Sequence, residues 1–424
     1  MFRALALRNY RLYASGQIVS LTGTWMARVT QDWLVYHVLT HDSSFALGVV
    51  TAVQFLPTLA LGMFGGVIGD RYPKRRVLIT TQAVMGVLSL LTGLLVAFHT
   101  DPLWSILLLA LLFGVTSAID MPVRQAFVVE MVGRDVLQNA VSLNSAIFNS
   151  ARILGPAVAG IAIEALGLAP AFFFNAVSYL AVIGGLLAMR LADLHLAPVV
   201  TRARGQLREG LAYVRNRPDL LLPIVLIGFV GTFGLNFQIT NALMARGVFH
   251  RGAGTYGILS TAQAVGSLVG ALFAARRLRR PRPQLLVISA LAFGVLEMAS
   301  AFVGSFPLFM VLLVPIGISA ITLATACNST VQLGTAPNMQ SRTMALYITV
   351  FAGGAPIGSL LVGWIGGILG PRPALLFGGG VSALAAIVCA AVYVRTQHVD
   401  LKIWERLRAR TVQEPTELQD IGSR

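Results

Sequence analysis

A few charged side chains stand where the chain is otherwise apolar, and their spacing limits the chemistry open to it. Asp32 follows Arg28 by four residues, so on a helix the two project from nearly one face and can pair. An acid pulled one way by an apolar setting and the other way by an adjacent arginine is suited to taking up and releasing a proton. Arg152 lies at mid-depth of a later apolar run, able to compete for Asp32 or to hold an anion. The plainer alternative is a static Arg28–Asp32 pair that only neutralises two buried charges. Glu164 lies near the end of its run and Glu297 on a run with few polar neighbours, so Asp32 is the acid singled out for coupling.

A second concentration of charge lies at the end of an apolar run, in Gly65-Gly66-Val67-Ile68-Gly69-Asp70-Arg71-Tyr72-Pro73-Lys74-Arg75-Arg76. Glycines there permit close helix approach, and the acid followed by bases suits a tight turn where the chain leaves lipid. One reading is positive-inside anchoring. The other is a gate in which Asp70 and the bases Arg71, Lys74, Arg75 and Arg76 engage Asp120 and Arg124, two charges at the same membrane face.

Enzyme chemistry finds no support. There is no H-E-x-x-H, no G-x-S-x-G and no phosphate-binding G-x-x-x-x-G-K-[ST], and no histidine pair falls within an apolar run. Cys327 and Cys389 sit in apolar runs without metal-ligand spacing, so neither a metal nor another cofactor is expected.

The elements that must position these residues are membrane helices. The 424 residues are 56% hydrophobic and only 12% charged, with mean hydropathy +0.76. Soluble domains run nearer ~25% charged. Runs long enough to cross ~30 Å of hydrocarbon fall at 12–38, 45–69, 77–98, 103–122, 137–166 and 169–191, and again at 219–245, 255–275, 285–304, 307–334, 342–370 and 373–394. The expected fold is an all-α polytopic membrane protein of twelve helices in two six-helix bundles. The bundles are 1–191 and 219–395, with a polar linker 192–218 between them and a tail 396–424 after them. Arg204, Arg208 and Arg215 beside Leu207, Leu211 and Val214 make the linker an amphipathic surface helix.

With the N-terminus inside, the outer loops hold only Arg246, Arg251 and Arg372, while Arg28 and Arg152 are intramembrane. The rest of the 32 Lys and Arg face the cytoplasm, which places both termini there. The net charge of +15 therefore serves orientation, and no nucleic-acid partner is expected.

The two halves echo each other. Gly48-(x)5-Gln54 recurs as Gly257-(x)5-Gln263, Gly62 and Gly66 as Gly266 and Gly270, and Gly155-Pro156 as Ala355-Pro356. A six-helix repeat implies a transporter. Polar stripes at steps of three or four residues mark the water-facing sides. In helix 1 they supply Gln17, Thr24 and Gln31, and in the second and fifth helices Gln54 and Asn149. The second half supplies Asn236, Thr240 and Gln263, then Asn328 and Ser329 on helix 10. These are the substrate-cavity candidates. Gly155, Pro156 and Gly160, with Gly354, Pro356 and Gly358 opposite, would bend both fifth helices where the halves meet and so form a pivot, or simply a kink.

Gly66-x-x-x-Asp70-Arg71-x-x-Lys74-Arg75-Arg76 is similar to the most recognisable loop motif of the major facilitator superfamily, with Pro73 where glycine is common. Gly23-Thr24-Trp25-Met26, Gln31-x-Trp33-Leu34-Val35-Tyr36, Asp120-x-Pro122-x-Arg124-Gln125-Ala126-Phe127 and Asn144-Ser145-Ala146-x-Phe148-Asn149-x-Ala151-Arg152-x-x-Gly155-Pro156-Ala157 resemble its bacterial exporter branch, related to the enterobactin exporter and macrolide efflux proteins. The resemblance implies two bundles rocking about a central cavity in the bacterial inner membrane. It implies export of a small organic molecule, commonly driven by protons. Two departures stand: Leu111-Leu112-Phe113-Gly114 replaces the mid-helix-4 arginine of many drug antiporters, and only Gly160 follows Gly155-Pro156. The expectation is a monomeric proton antiporter of small molecules in contact with lipid, against an uncoupled facilitator or lipid-type flippase of the same shape.

Overall fold

The structure is a computed structural model that describes residues 3–133, 135–195, 206–275, 280–336 and 339–412, without the side chains of 62–67, 69–70, 206–208, 210, 275, 341 and 396–412. Among the described residues there are helices and no strands. Helix 1 (Arg8–Trp33) runs into a π-helical turn at Leu34–Leu39. Helices 2 to 6 follow at Ser44–Arg71, Lys74–Ala97, Leu103–Val132, Leu137–Leu166 and Ala169–Leu187. The short linker helix is Gln206–Arg215. Helix 7 starts at Pro218–Phe229, and helices 8 to 12 are Ala253–Ala275, Pro283–Ala301, Phe306–Gly334, Gln340–Leu369 and Pro371–Val412. Helices 2 to 12 each contain a span long and apolar enough to cross a membrane. Helix 1 falls short on composition because it carries Arg28, Asp32 and three glutamine or asparagine side chains, and it takes its place by packing on helices 5 and 6.

The pairing of helices repeats. Helix 1 packs on 5 and 6 as helix 7 packs on 11 and 12; helix 2 packs on 4 as 8 packs on 10; helix 3 packs on 4 and 6 as 9 packs on 10 and 12. Large apolar side chains that remain exposed crowd the outer helices, such as Val87 and Leu90 on helix 3, Val177 and Leu180 on helix 6, and Ile387 and Val388 on helix 12. In lipid these positions are solvated, so their exposure carries no penalty.

Helix 7 departs from the sequence reading of one continuous run. It widens into a π-helical turn at Val230–Gly234, breaks, resumes at Phe237–Leu243 and widens again at Met244–Val248. A broken helix in hydrocarbon must have its freed carbonyls satisfied. Asn236 does this by donating Nδ2 to the carbonyls of Thr232 (2.8 Å) and Phe233 (3.1 Å).

Among the described residues the halves join at one end, where helix 2 crosses helix 11 and helix 5 crosses helix 8. Both crossings are built on glycine. A Cβ on Gly363 would lie 2.6 Å from the Ser44 carbonyl, and one on Gly160 would lie 3.0 Å from the Gly254 Cα. Ser44 Oγ donates to the Gly363 carbonyl at 2.9 Å, and Thr261 Oγ1 donates to the Ile153 carbonyl at 3.3 Å. One apolar core runs through this joined end into the second half. The opposite end of the first half, around Tyr10, Phe127 and Leu186, packs as a separate core. Toward the other end of helix 5, Ser142, Ser145 and Phe148 are exposed.

Candidate functional site

Beside the Ser44–Gly363 and Thr261–Ile153 hydrogen bonds, three acidic side chains bridge the halves at the joined end. Asp32, 2% exposed, accepts a hydrogen bond at 3.0 Å from Tyr256 Oη of helix 8, and the Trp33 ring stacks on Tyr256 with centroids 6.3 Å apart. Asp42, in the loop after helix 1, pairs with Arg246 at the end of helix 7 (3.2 Å) and lies 2.7 Å from His37 Nδ1. Partial burial works to raise a carboxyl, but the His37 and Arg246 hydrogen bonds outweigh it and hold Asp42 below the ordinary carboxylate range. Glu164 accepts from the Gly254 backbone N–H (3.0 Å), the kind of acid that suits the start of helix 8. Tyr256, Asp42, Arg246 and Glu164 are the partners that sequence reasoning did not identify; no local spacing marks contacts between halves more than 80 residues apart.

The Arg28–Asp32 pair expected from the four-residue spacing is not formed: among the described residues no ion pair joins them. Tyr256 draws the Asp32 carboxylate toward helix 8, while aromatic faces draw Arg28 elsewhere. Arg28 lies over the rings of Trp25 (5.3 Å to the centroid) and Phe55 (5.2 Å), and Arg152 lies over the same Trp25 at 5.8 Å. Phe148 packs edge-on against Trp25, with centroids 5.8 Å apart.

Arg28 also lines a small cavity, together with Thr24, Gln31, Gln54 and Asn175. The cavity is lined by helices 1, 2, 3, 4 and 6 of the first half, so it is not the path between halves that the polar stripes suggested. Its polar wall owes much to helices 3 and 6: Asn175 donates to Ser89 Oγ (3.0 Å), and Ser89 donates to the Phe172 carbonyl (2.9 Å). Of the expected cavity residues, Thr24, Gln31 and Gln54 meet here. Gln17 is instead held by Arg124 Nη1 at 2.5 Å. Asn149 donates to the Ser145 carbonyl on its own helix, Thr240 bonds to the Asn236 carbonyl, and Gln263 reaches Ser267. Asn328 and Ser329 are half-buried on helix 10, apart from this cavity.

The charges at the unjoined end are tied within the first half. Lys74 pairs with Glu130 of helix 4 (2.7 Å), and Arg75 donates to the Leu186 carbonyl (2.6 Å) and the Leu187 carbonyl (3.1 Å) at the end of helix 6. Arg71 and Arg76 are exposed. Asp120 pairs with Arg124, one helical turn away, and accepts from Thr81 (2.7 Å) and Gln82 (2.8 Å) of helix 3. The described bases therefore do not engage Asp120 and Arg124: Glu130, which sequence reasoning passed over, takes Lys74. The side chains of Gly66 and Asp70 lie outside the described residues.

The pivot glycines also divide. Gly160 and the Pro156 carbonyl face helix 8 across the halves. Gly155 packs against Trp25 and Thr22 of helix 1, and Gly354 and Gly358 pack against Thr232 of helix 7, each within its own half. Proline frees a backbone acceptor but does not choose which neighbour fills the space, which is why spacing alone grouped them.

With this geometry in hand, comparison with known proteins is specific. The family model described as transmembrane secretion effector matches residues 2–420. The chain is 30% identical over 170 residues to the staphyloferrin A transporter of Staphylococcus aureus, covering 40% of this chain and 42% of that one. It thus spans less than half the length of that relative. It is 25% identical over 356 residues to the multidrug efflux pump Tap of Mycobacterium tuberculosis, covering 82% and 84%. Its fold matches a bacterial homologue of the human lysosomal transporter Spinster, solved inward-facing and unoccupied, with TM-score 0.71 at 13% identity over 93% of this chain and 98% of that one. A helical membrane body with pseudo-repeated halves thus meets a family match over nearly its whole length. The chain belongs to the transmembrane secretion effector family of the major facilitator superfamily, and is a multi-pass membrane transporter of that exporter branch rather than an enzyme.

Proposed function

We propose that this transporter exports a small organic molecule from the bacterial cytoplasm across the inner membrane, by alternating access coupled to proton entry. Residues 1–191 and 219–395 are its moving halves, tethered by 192–218, and one chain is the working unit. The basic loops support a cytoplasmic location for the unjoined ends and both termini, and on that reading the conformation described is open to the inside and closed to the outside. Relatives named for staphyloferrin A and for multidrug efflux make a siderophore or a drug-like compound the reasonable cargo.

The observation that carries the coupling is the buried Asp32–Tyr256 contact between halves. A charged carboxylate in an apolar site costs free energy that a neutral acid does not. Protonation of Asp32 thus favours the closed outer end in which it is buried, and proton loss to the cytoplasm favours opening outward. That sign is the one antiport requires: the proton accompanies the inward turn, the cargo the outward one. The test is accumulation of a fluorescent drug in inside-out vesicles containing the purified protein. An acidic interior should drive uptake, and collapsing the gradient should abolish it; equal uptake with and without the gradient would mean an uncoupled facilitator or flippase.

A further inference from the structure

Arg28 and Arg152 are cations inside the membrane body that no carboxylate contacts among the described residues. Among the described residues neither forms an ion pair or a hydrogen bond, and Arg28 Nε is buried with no partner at all. Buried charges in proteins are normally paired and hydrogen-bonded, because the cost of leaving water is otherwise unrecovered. The contrast is Arg124 of helix 4, also within the bundle, which has Asp120 and Gln17. Asp32, the nearest carboxylate along helix 1, is held by Tyr256. Cation–π contact with Trp25 and Phe55 offsets part of the cost but supplies no acceptor to the guanidinium edges.

We propose that Arg28 and Arg152, held on the indole of Trp25, anchor a binding site for an organic carboxylate with an aromatic or apolar body. Both guanidiniums lie against one ring, at 5.3 and 5.8 Å from its centroid. Aromatic stacking occupies guanidinium faces and leaves the planar N–H forks free, the geometry that grips carboxylates with two bonds. The body of the ligand lies along the pocket that Arg28 lines. There Gln31, Gln54 and Thr24 offer hydrogen bonds, and Phe113, Phe172 and Leu109 offer apolar wall. Phe148, 42% exposed and in contact with Trp25, links the anchor to the molecular surface. The proposal rests on the exporter reading and names the chemical class of its cargo.

The test measures binding to the purified full chain in lipid nanodiscs by calorimetry, using benzoate, isophthalate and benzene-1,3,5-tricarboxylate against their neutral methyl esters. At least one acid should bind ten-fold or more tightly than its ester, and added chloride should weaken it. Arg28→Gln and Arg152→Gln should each weaken that acid 10- to 100-fold, with Arg28→Lys recovering part of the loss. If no acid outbinds its ester on the wild-type protein, a comparison that needs no variant, the proposal is overturned. Equal affinity in both glutamine variants, with unchanged melting temperature, overturns it as well. Gradient-driven export of a cationic drug alongside absent acid binding defeats the anion site and spares the exporter reading. Acid binding lost in the glutamine variants, with no gradient-driven movement of any probe, spares the site and defeats the exporter reading.

Discussion

Asp32, Asp42 and Glu164 each reach from the first half to a donor in the second, and their differing burial gives them different roles. Asp42 is partly exposed, so its pair with Arg246 is weak and screened by salt. Its carboxyl is held low, so its contribution to outer closure is complete above the ordinary carboxylate value near ~4 and is lost as pH falls below that through its own lower value. Cysteine labelling from the outside should therefore stay slow at neutral pH and rise in strong acid, and Asp42→Asn should remove that rise. Tyr256→Phe leaves the Asp32 carboxyl buried without its donor. The loss is worth about 1–3 kcal/mol, which should enlarge the outward-open population by roughly ten-fold or more and quicken outside labelling. Unchanged labelling would detach Tyr256 from closure. Candidate residues were legible here because charge in an apolar run is conspicuous. Their partners were not, because Tyr256 and Arg246 are brought to Asp32 and Asp42 by tertiary packing and not by spacing.

Helices 2, 5, 8 and 11 carry the joint, and glycine sets how close they come. Gly160→Leu should push helix 5 off helix 8 and hold the outer end open, so that transport is lost while the protein remains folded. Gly155→Leu acts inside the first half, against Trp25, so its first effect should be on stability, by about 1–3 kcal/mol of overpacking. A thermal melt beside a transport assay separates the two: a stable, inactive Gly160→Leu with a destabilised Gly155→Leu fits, and the reverse assignment contradicts the packing. The helices themselves were readable from length and hydropathy, and helix 1 from its polar stripe despite its charges. The break in helix 7 was not, since Val230 to Val248 contains no proline and the interruption depends on Asn236 satisfying carbonyls that only the folded chain frees.

The whole molecule is two repeats closed against each other at one end and parted at the other. Lys74–Glu130 and the Arg75 contacts to helix 6 lie within a single half, so they serve as a brace that lets that half move as one body. Glu130→Gln should accordingly lower the melting temperature by a few degrees and change the labelling of outer cysteines little; a large conformational shift would restore a gating role to the loop. The repeat was legible as matched glycines and glutamines at equal spacing in the two halves. The location of the cavity inside one half was not, because helices 3 and 6 contribute Ser89 and Asn175 from runs outside the polar stripes.

The central claim is that Asp32 couples the cycle to protons, and Asp32→Asn in vesicles tests it most directly. Asparagine keeps the size and can still accept from Tyr256 but cannot carry the proton. The account predicts that uphill export driven by a pH gradient disappears while downhill exchange of cargo survives. Gradient-driven export that persists in a correctly inserted Asp32→Asn protein would contradict it.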